Sequence, residues 1–151
     1  MKANKIDFQK YVAAGNDFVV FESWDNALEL STQQIVAICD RRFGIGADGI
    51  MILSSEASAD FRMNYFNADG SRGEMCGNGA RSLVKYAVSR GKSGKSGSFL
   101  ADDGLHSYCI ENERVEVEIL VSDEMHPCQV PSKHCGFINT GVPHLIIPVA
   151  D

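Results

Sequence analysis

At 151 residues, with 44% apolar residues and a formal net charge of −6, the chain can bury a core as one domain, or as one domain and part of a second, and is not disordered. The acidic balance argues against a phosphate-backbone partner, which needs clustered Lys and Arg, but leaves a small acidic substrate open because local charge decides that. Met1–Lys10 lacks the apolar stretch of a secretory signal and no run is apolar enough to span a bilayer, so neither nucleic acid nor membrane is expected as a partner.

In chain order, residues Ile6 to Phe21 read as two β-segments around a turn at Gly15-Asn16-Asp17. Ser31 reads as an N-cap, with Ile35, Val36, Ile38 and Cys39 at helical spacing and Gly44 as the stop. GIGADG (44–49) leads into a strand over Ile50–Leu53, and Asp60–Phe66 alternates as a sheet strand before a turn at Asn67-Ala68-Asp69-Gly70. Gly77-Asn78-Gly79 opens a second helix with Ala80, Leu83, Val84, Ala87 and Val88 on one face. GKSGKSGS (91–98) reads as a flexible loop. Turns at Asp102-Asp103-Gly104 and Glu111-Asn112-Glu113 then separate short strands, and Val115, Val117, Ile119 and Val121 alternate as one half-buried strand. Met125–Cys135 reads as irregular and Phe137–Val149 as strand. Several strands with two helices make an α+β fold with a mixed, largely antiparallel sheet. Five cysteines, none in a C-x-x-C pair, read as unpaired thiols of a cytoplasmic protein.

Cys76 stands out chemically. A cysteine just before a helix start faces unpaired backbone N–H groups and the positive end of the helix dipole, and both favour the thiolate. The flanking Gly77 and Gly79 let a ligand approach the backbone closely, and the same N–H groups can hold a carboxylate. Taken alone, a cysteine is more often a small buried hydrophobe.

The segments GNDF (15–18), RRFGIGADG (41–49), FNADGS (66–71), MCGNGAR (75–81) and NTGVPH (139–144) stand in one order that resembles the diaminopimelate epimerase family, part of a superfamily of amino-acid racemases and epimerases that work without pyridoxal phosphate. The resemblance runs from about Tyr11 to the carboxyl end. It implies a sheet wrapped around a central helix, as one half of a two-domain fold: residues 1–122 as the amino-terminal domain and 123–151 as the start of the second. It also implies epimerisation of LL- to meso-diaminopimelate by two thiols, with no cofactor and no metal. Cys76 would be one thiol and His144 a residue that tunes the thiols. Gly77 and Asn78 would hold the reacting α-carboxylate, while Asn16 and Asn67 would contact the substrate. For His144 and the three asparagines, the plain alternatives are a satisfied strand histidine and turn or cap chemistry.

Three positions depart from the family pattern: YVAA precedes GNDF, Val142 stands where many members have Asn, and Gly49 stands where some offer Gln. The second catalytic Cys of the family lies in a later GTG-type helix start, and none of Cys39, Cys109, Cys128 or Cys135 precedes a Gly-rich helix opening. The expectation is therefore a chain that supplies one thiol and needs a carboxy-terminal half in cis or in trans, as a truncated, proteolysed or split enzyme, with a homodimer left open. Two other readings stand beside it: a related cofactor-independent racemase, for histidine for example, and a half-domain that turns nothing over. His126, Cys128, His134 and Cys135 fit zinc poorly because they do not form two spaced pairs. GKSGKS lacks the full phosphate-loop spacing, and GIGADG is not a dinucleotide fingerprint.

Overall fold

The computed structural model describes residues 5–25, 27–121, 124–130, 133–140 and 142–149. The chain divides into two compact units, Met1–Glu118 and Ile119–Asp151. In the first, β1 (Phe8–Ala13), β2 (Asn16–Ser23), α1 (Thr32–Cys39), β3 (Gly49–Ser54), β4 (Phe61–Asn67), β5 (Arg72–Gly73), α2 (Gly77–Ser89), β6 (Ser96–Leu100), β7 (Leu105–Glu111) and β8 (Arg114–Val117) follow one another. Their strands form one sheet in the order β1-β2-β3-β4-β6-β7-β8, with β5 pairing on β4. It is a mixed sheet: β2–β3 and β4–β6 are parallel and every other pair is antiparallel.

The alternation of side chains explains the layering, since successive residues of a strand face opposite sides. On one face Phe18, Val20, Met51, Leu53, Phe61 and Met63 meet Ala80, Leu83, Val84 and Ala87 of α2. On the other, Val19, Phe21, Ile50 and Ile52 meet Ile35 and Cys39 of α1. β3 is buried along its whole length, which is why GIMILS is apolar without a break up to its final serine. α2 also contacts β1 and β8, the two ends of the strand order, and Tyr11 of β1 meets Tyr86 of α2 edge-on at 6.0 Å. The sheet is curled, and the fold is α+β.

Local chemistry moves several boundaries. Ala14 and Gly15 both have positive φ, 50° and 87°, as a two-residue hairpin turn requires, so Asn16 and Asp17 belong to β2 rather than to the turn. Ser31 caps α1 as expected, reciprocally with Gln34. The helix stops at Cys39, before Gly44, because the Asp40 carboxylate accepts the N–H groups of Arg42 and Phe43 at 2.7 and 2.8 Å and diverts the chain. The stretch 91–98 is not all loop: β6 begins at Ser96, and Gly97 lets it pass close to Asp60, whose carboxylate accepts the Ser98 N–H at 3.0 Å. β8 ends at Val117, with Ile119 and Val121 exposed. Beyond it the chain is held by Glu118, whose N–H donates to the Ser107 carbonyl and whose carbonyl faces Nδ1 of the buried His106 at 3.0 Å.

The second unit pairs β9 (His126–Val130), β10 (Lys133–Asn139) and β11 (Pro143–Ile146) in the order β11-β10-β9. Met125–Cys135 is thus mostly strand rather than irregular. Cys128 and Cys135 lie opposite each other on β9 and β10 and are joined as a disulfide, which corrects the expectation of five unpaired thiols. Among the described residues, no helix is long and apolar enough to cross a membrane.

Candidate active site at the start of α2

β2 and β3 begin, and β4 ends, at one edge of the sheet: Phe18 pairs with Gly49, and Gly49 with Asn67. α2 starts there too. Cys76 is its N-cap, with extended backbone, and its Sγ accepts the Gly79 N–H at 3.4 Å. Gly79 packs directly on β3: a Cβ there would lie 1.7 Å from Cε of buried Met51, which would have to move aside. Close packing of α2 on β3 is therefore what holds Cys76 at this edge. Cys76, Gly77 and Asn78 are all half-buried.

Asn16 and Asn78, far apart in sequence, meet directly: Asn78 Nδ2 donates to Asn16 Oδ1 at 2.7 Å, and Asn16 Nδ2 donates to Asp48 Oδ2 at 3.2 Å. Asn67 lies at the same edge as the last residue of β4. Its Oδ1 accepts the Tyr65 hydroxyl at 2.6 Å, and its Nδ2 donates to the Ser71 hydroxyl at 3.0 Å. Four of the expected site residues, Cys76, Asn16, Asn78 and Asn67, together with Gly77, are therefore brought to one sheet edge. His144 lies on β11, in the second unit and exposed. Its Nδ1 is 2.9 Å from the Val142 carbonyl and 3.1 Å from the Thr140 hydroxyl. The Val142 carbonyl can only accept, so His144 makes this contact as a donor with its proton on Nδ1.

Tyr65 was not foreseen as part of this site. Its ring lies over two glycines, where a Cβ would come within 2.9 Å at Gly49 and 2.2 Å at Gly73. Burial pushes the hydroxyl up to about 12, and negative charge on Cys76 and Asp48 adds to this, so it keeps its proton and donates to Asn67. The same packing leaves no space for a side chain at position 49: a Cβ there would sit 2.6 Å from the Phe66 carbonyl oxygen.

An ionic cluster stands behind Asn16. Arg41 donates to Asp17 at 2.8 and 3.1 Å and to Asp48 at 2.7 Å, and Lys10 pairs with Asp17 at 2.9 Å. The Arg41 guanidinium holds the Asp17 carboxyl far below the usual carboxylate range; burial opposes this and Lys10 reinforces it. A carboxylate with a depressed folded pKa contributes stability above its unfolded value, 3.8 for Asp17, and loses that contribution as the pH falls further. Asp17→Asn is therefore expected to be less stable at pH 7 by roughly 1 kcal/mol, exposure of Arg41 limiting the loss. Urea titrations across pH should show the gap to the parent closing below 3.8; a gap that persists there would sink the assignment.

The cysteines can be ranked chemically. Burial pushes the Cys39 thiol up, and burial with the Glu116 and Glu111 carboxylates does the same for Cys109. Cys128 and Cys135 are bonded to each other. Limiting iodoacetamide at neutral pH is thus expected to label Cys76 first, since alkylation needs an accessible thiolate. Peptide mapping that found Cys39 or Cys109 modified first would refute this.

Comparison with known proteins adds the family. The model described as diaminopimelate epimerase matches residues 8–122. The diaminopimelate epimerase of Flavobacterium psychrophilum is 40% identical over 140 residues, covering 89% of this chain and 52% of that protein. That of Chlorobaculum tepidum is 41% identical over 137 residues, covering 88% and 53%. The chain spans about half the length of the curated relatives it matches. Among solved structures, a Bacillus anthracis phenazine biosynthesis protein of the PhzF family aligns with a TM-score of 0.69 at 18% identity, over 96% of this chain and 56% of that one. A hydroxyproline epimerase from Agrobacterium vitis, with bound trans-4-hydroxy-L-proline, aligns with a TM-score of 0.63 at 9% identity, over 91% and 50%. At these identities the likeness concerns the fold alone.

Proposed function

Because the chain belongs to the diaminopimelate epimerase family, we propose that it supplies one of the two thiols of a cofactor-independent epimerisation of LL- to meso-diaminopimelate, a step that serves lysine and peptidoglycan precursor synthesis. The observation that carries this reading is the convergence of Cys76, Asn16, Asn78 and Asn67 at the start of α2. In the same reading the curled sheet wraps α2 as its central helix, residues 1–122 form the amino-terminal domain, and 123–151 open the second. The protein works in the cytoplasm.

Inverting a stereocentre by proton transfer needs a base on one face and an acid on the other. The Cys76 thiolate takes the α-proton: the C–H bond breaks, an S–H bond forms, and the electron pair stays on the α-carbon and its carboxylate. A thiol on the opposite face then gives its proton to the carbon and becomes the thiolate. Roles reverse with direction, and nothing is consumed. The developing charge is held by the first-turn N–H groups of α2, which have no partner in the helix's own ladder. Asn78 and Asn16 flank that charge, and Asn67 contacts the substrate with its remaining N–H. His144, in the second unit, is assigned the tuning of the thiols by the family resemblance alone. The opposing acid comes from sequence outside these 151 residues, in cis or in trans. The test is deuterium incorporation at the α-carbon of LL- and meso-diaminopimelate in heavy water.

A further inference from the structure

The Asn16–Asn78 contact belongs to a longer relay whose two ends are chemically one-directional. Arg81, one turn along α2, donates its guanidinium N–H to Asn78 Oδ1. Asn78 donates to Asn16, and Asn16 donates to Asp48. Arg81 can only donate and an ionised Asp48 can only accept. Asp48 is itself fixed: its Oδ2 accepts the Asp17 N–H at 3.1 Å, and its Oδ1 accepts Arg41 at 2.7 Å. Flipping either amide would set N–H against N–H at one end, or oxygen against carboxylate at the other. The direction of the relay is therefore determined by chemistry rather than by shape, which cannot distinguish the two ends of an amide.

Each amide spends one N–H within the relay and has one left. Both oxygens are already occupied by donors. Next to them, the main-chain N–H groups of Gly77 and Asn78 stand outside the helix ladder. What the Asn16–Asn78 pair and the first main-chain N–H groups of α2 offer a ligand is thus a set of donors, beside the Cys76 sulfur.

We propose that Arg81 and Asp48 are positioning residues that lock the Asn78 and Asn16 amides as donors, so that the Cys76 site selects a carboxylate over an isosteric neutral amide. The proposal rests on reading the start of α2 as a carboxylate site. It assigns a role to two residues that never touch the substrate, and it explains why a charged cluster stands behind a neutral asparagine pair.

The test uses the ¹⁵N-labelled chain, with the side-chain NH₂ signals of Asn16 and Asn78 as reporters and acetate against acetamide as probes. In the parent, each amide shows one slowly exchanging, hydrogen-bonded proton, and acetate but not acetamide shifts both side-chain signals and the Gly77 and Asn78 main-chain signals. Asp48→Asn, which can donate as well as accept, and Arg81→Met, which keeps an apolar stem, each release the protected protons and weaken acetate binding about tenfold, as loss of a charge-assisted hydrogen bond implies. Arg81→Lys, still a pure donor, restores protection and most of the affinity. Unfolding alone would not produce that Met-to-Lys difference. Unchanged amide signals and acetate affinity in both Asp48→Asn and Arg81→Met would overturn the relay. Locked amides in a parent that ignores acetate would leave the relay standing and overturn the carboxylate site.

Discussion

Cys76→Ala in the two-thiol enzyme is expected to lower α-proton exchange of diaminopimelate by about 10²–10⁴-fold, the usual cost of removing a positioned acid–base group. Alanine also removes the sulfur that accepts the Gly79 N–H, and losing an N-cap costs about 1 kcal/mol. That leaves α2 in place, anchored by Ala80, Leu83 and Val84 in the core. Cys76→Ser separates the two effects. Serine is a good N-cap, so stability recovers, but its hydroxyl is far harder to ionise than a thiol and exchange stays lost. Mass spectrometry of the recovered substrate reads the exchange, and urea titration reads the cap. Residues 1–151 alone should exchange no faster than buffer, since water must replace the opposing acid in an open site and also weakens stabilisation of the carbanion. Robust exchange by these residues alone, abolished by Cys76→Ala, would show that the active site is complete within them and would end the reading that a further half must supply the opposing acid.

Gly44→Ala is expected to be the most damaging single methyl group in the fold, at about 3 kcal/mol, the upper end of the overpacking range. A Cβ at this position would stand 2.0 Å from the Ala37 carbonyl oxygen, 2.7 Å from that of Ile38 and 2.9 Å from that of Asp40. All three atoms are main chain, so no side-chain rotation relieves the clash. The turn also closes α1, because the Gly44 N–H donates to Asp40 and those of Ile45 and Gly46 both reach the Ile38 carbonyl. Gly15→Ala is the comparison: φ there is +87° but no atom lies within 4 Å of the added methyl, so only backbone strain of about 1 kcal/mol applies. Urea midpoints decide between them, and equal midpoints for the two variants would refute the steric argument.

Features whose causes are local were legible in the sequence. Ser31 with Gln34 is a capping box within four residues, and MCGNGAR places a cysteine at a glycine-opened helix start whatever its surroundings. Features set by distant partners were not legible. β6 hides in GKSGKSGS because its support comes from Asp60 and from cross-strand pairing with β7. Arg72–Gly73 is too short to show an alternation, yet it pairs with Tyr65 and Phe66. The early end of α1 comes from Asp40 competing for N–H groups, which helical periodicity does not register. The candidate asparagines were proposed by resemblance, while Asp48, Arg81 and Tyr65 behind them needed the strand register and the packing of α2. The Cys128–Cys135 bond needed the β9–β10 register in the same way.

Glu118 is the last residue of the first compact unit and is fastened several times over: its N–H to Ser107, its carboxylate to the Ser107 N–H and hydroxyl, and its carbonyl to His106, whose other nitrogen meets Asp103 at 2.9 Å. His106 is fully buried and stacks on Phe99, so the fastening is set into the core. For protein engineering this makes a seam. A protease nick or a chimeric junction placed just after Glu118 leaves these Glu118 anchors intact, whereas one placed a few residues earlier cuts β8 away. Exchange of amino-terminal modules between relatives, or reassembly from two separately expressed pieces, has its natural breakpoint here.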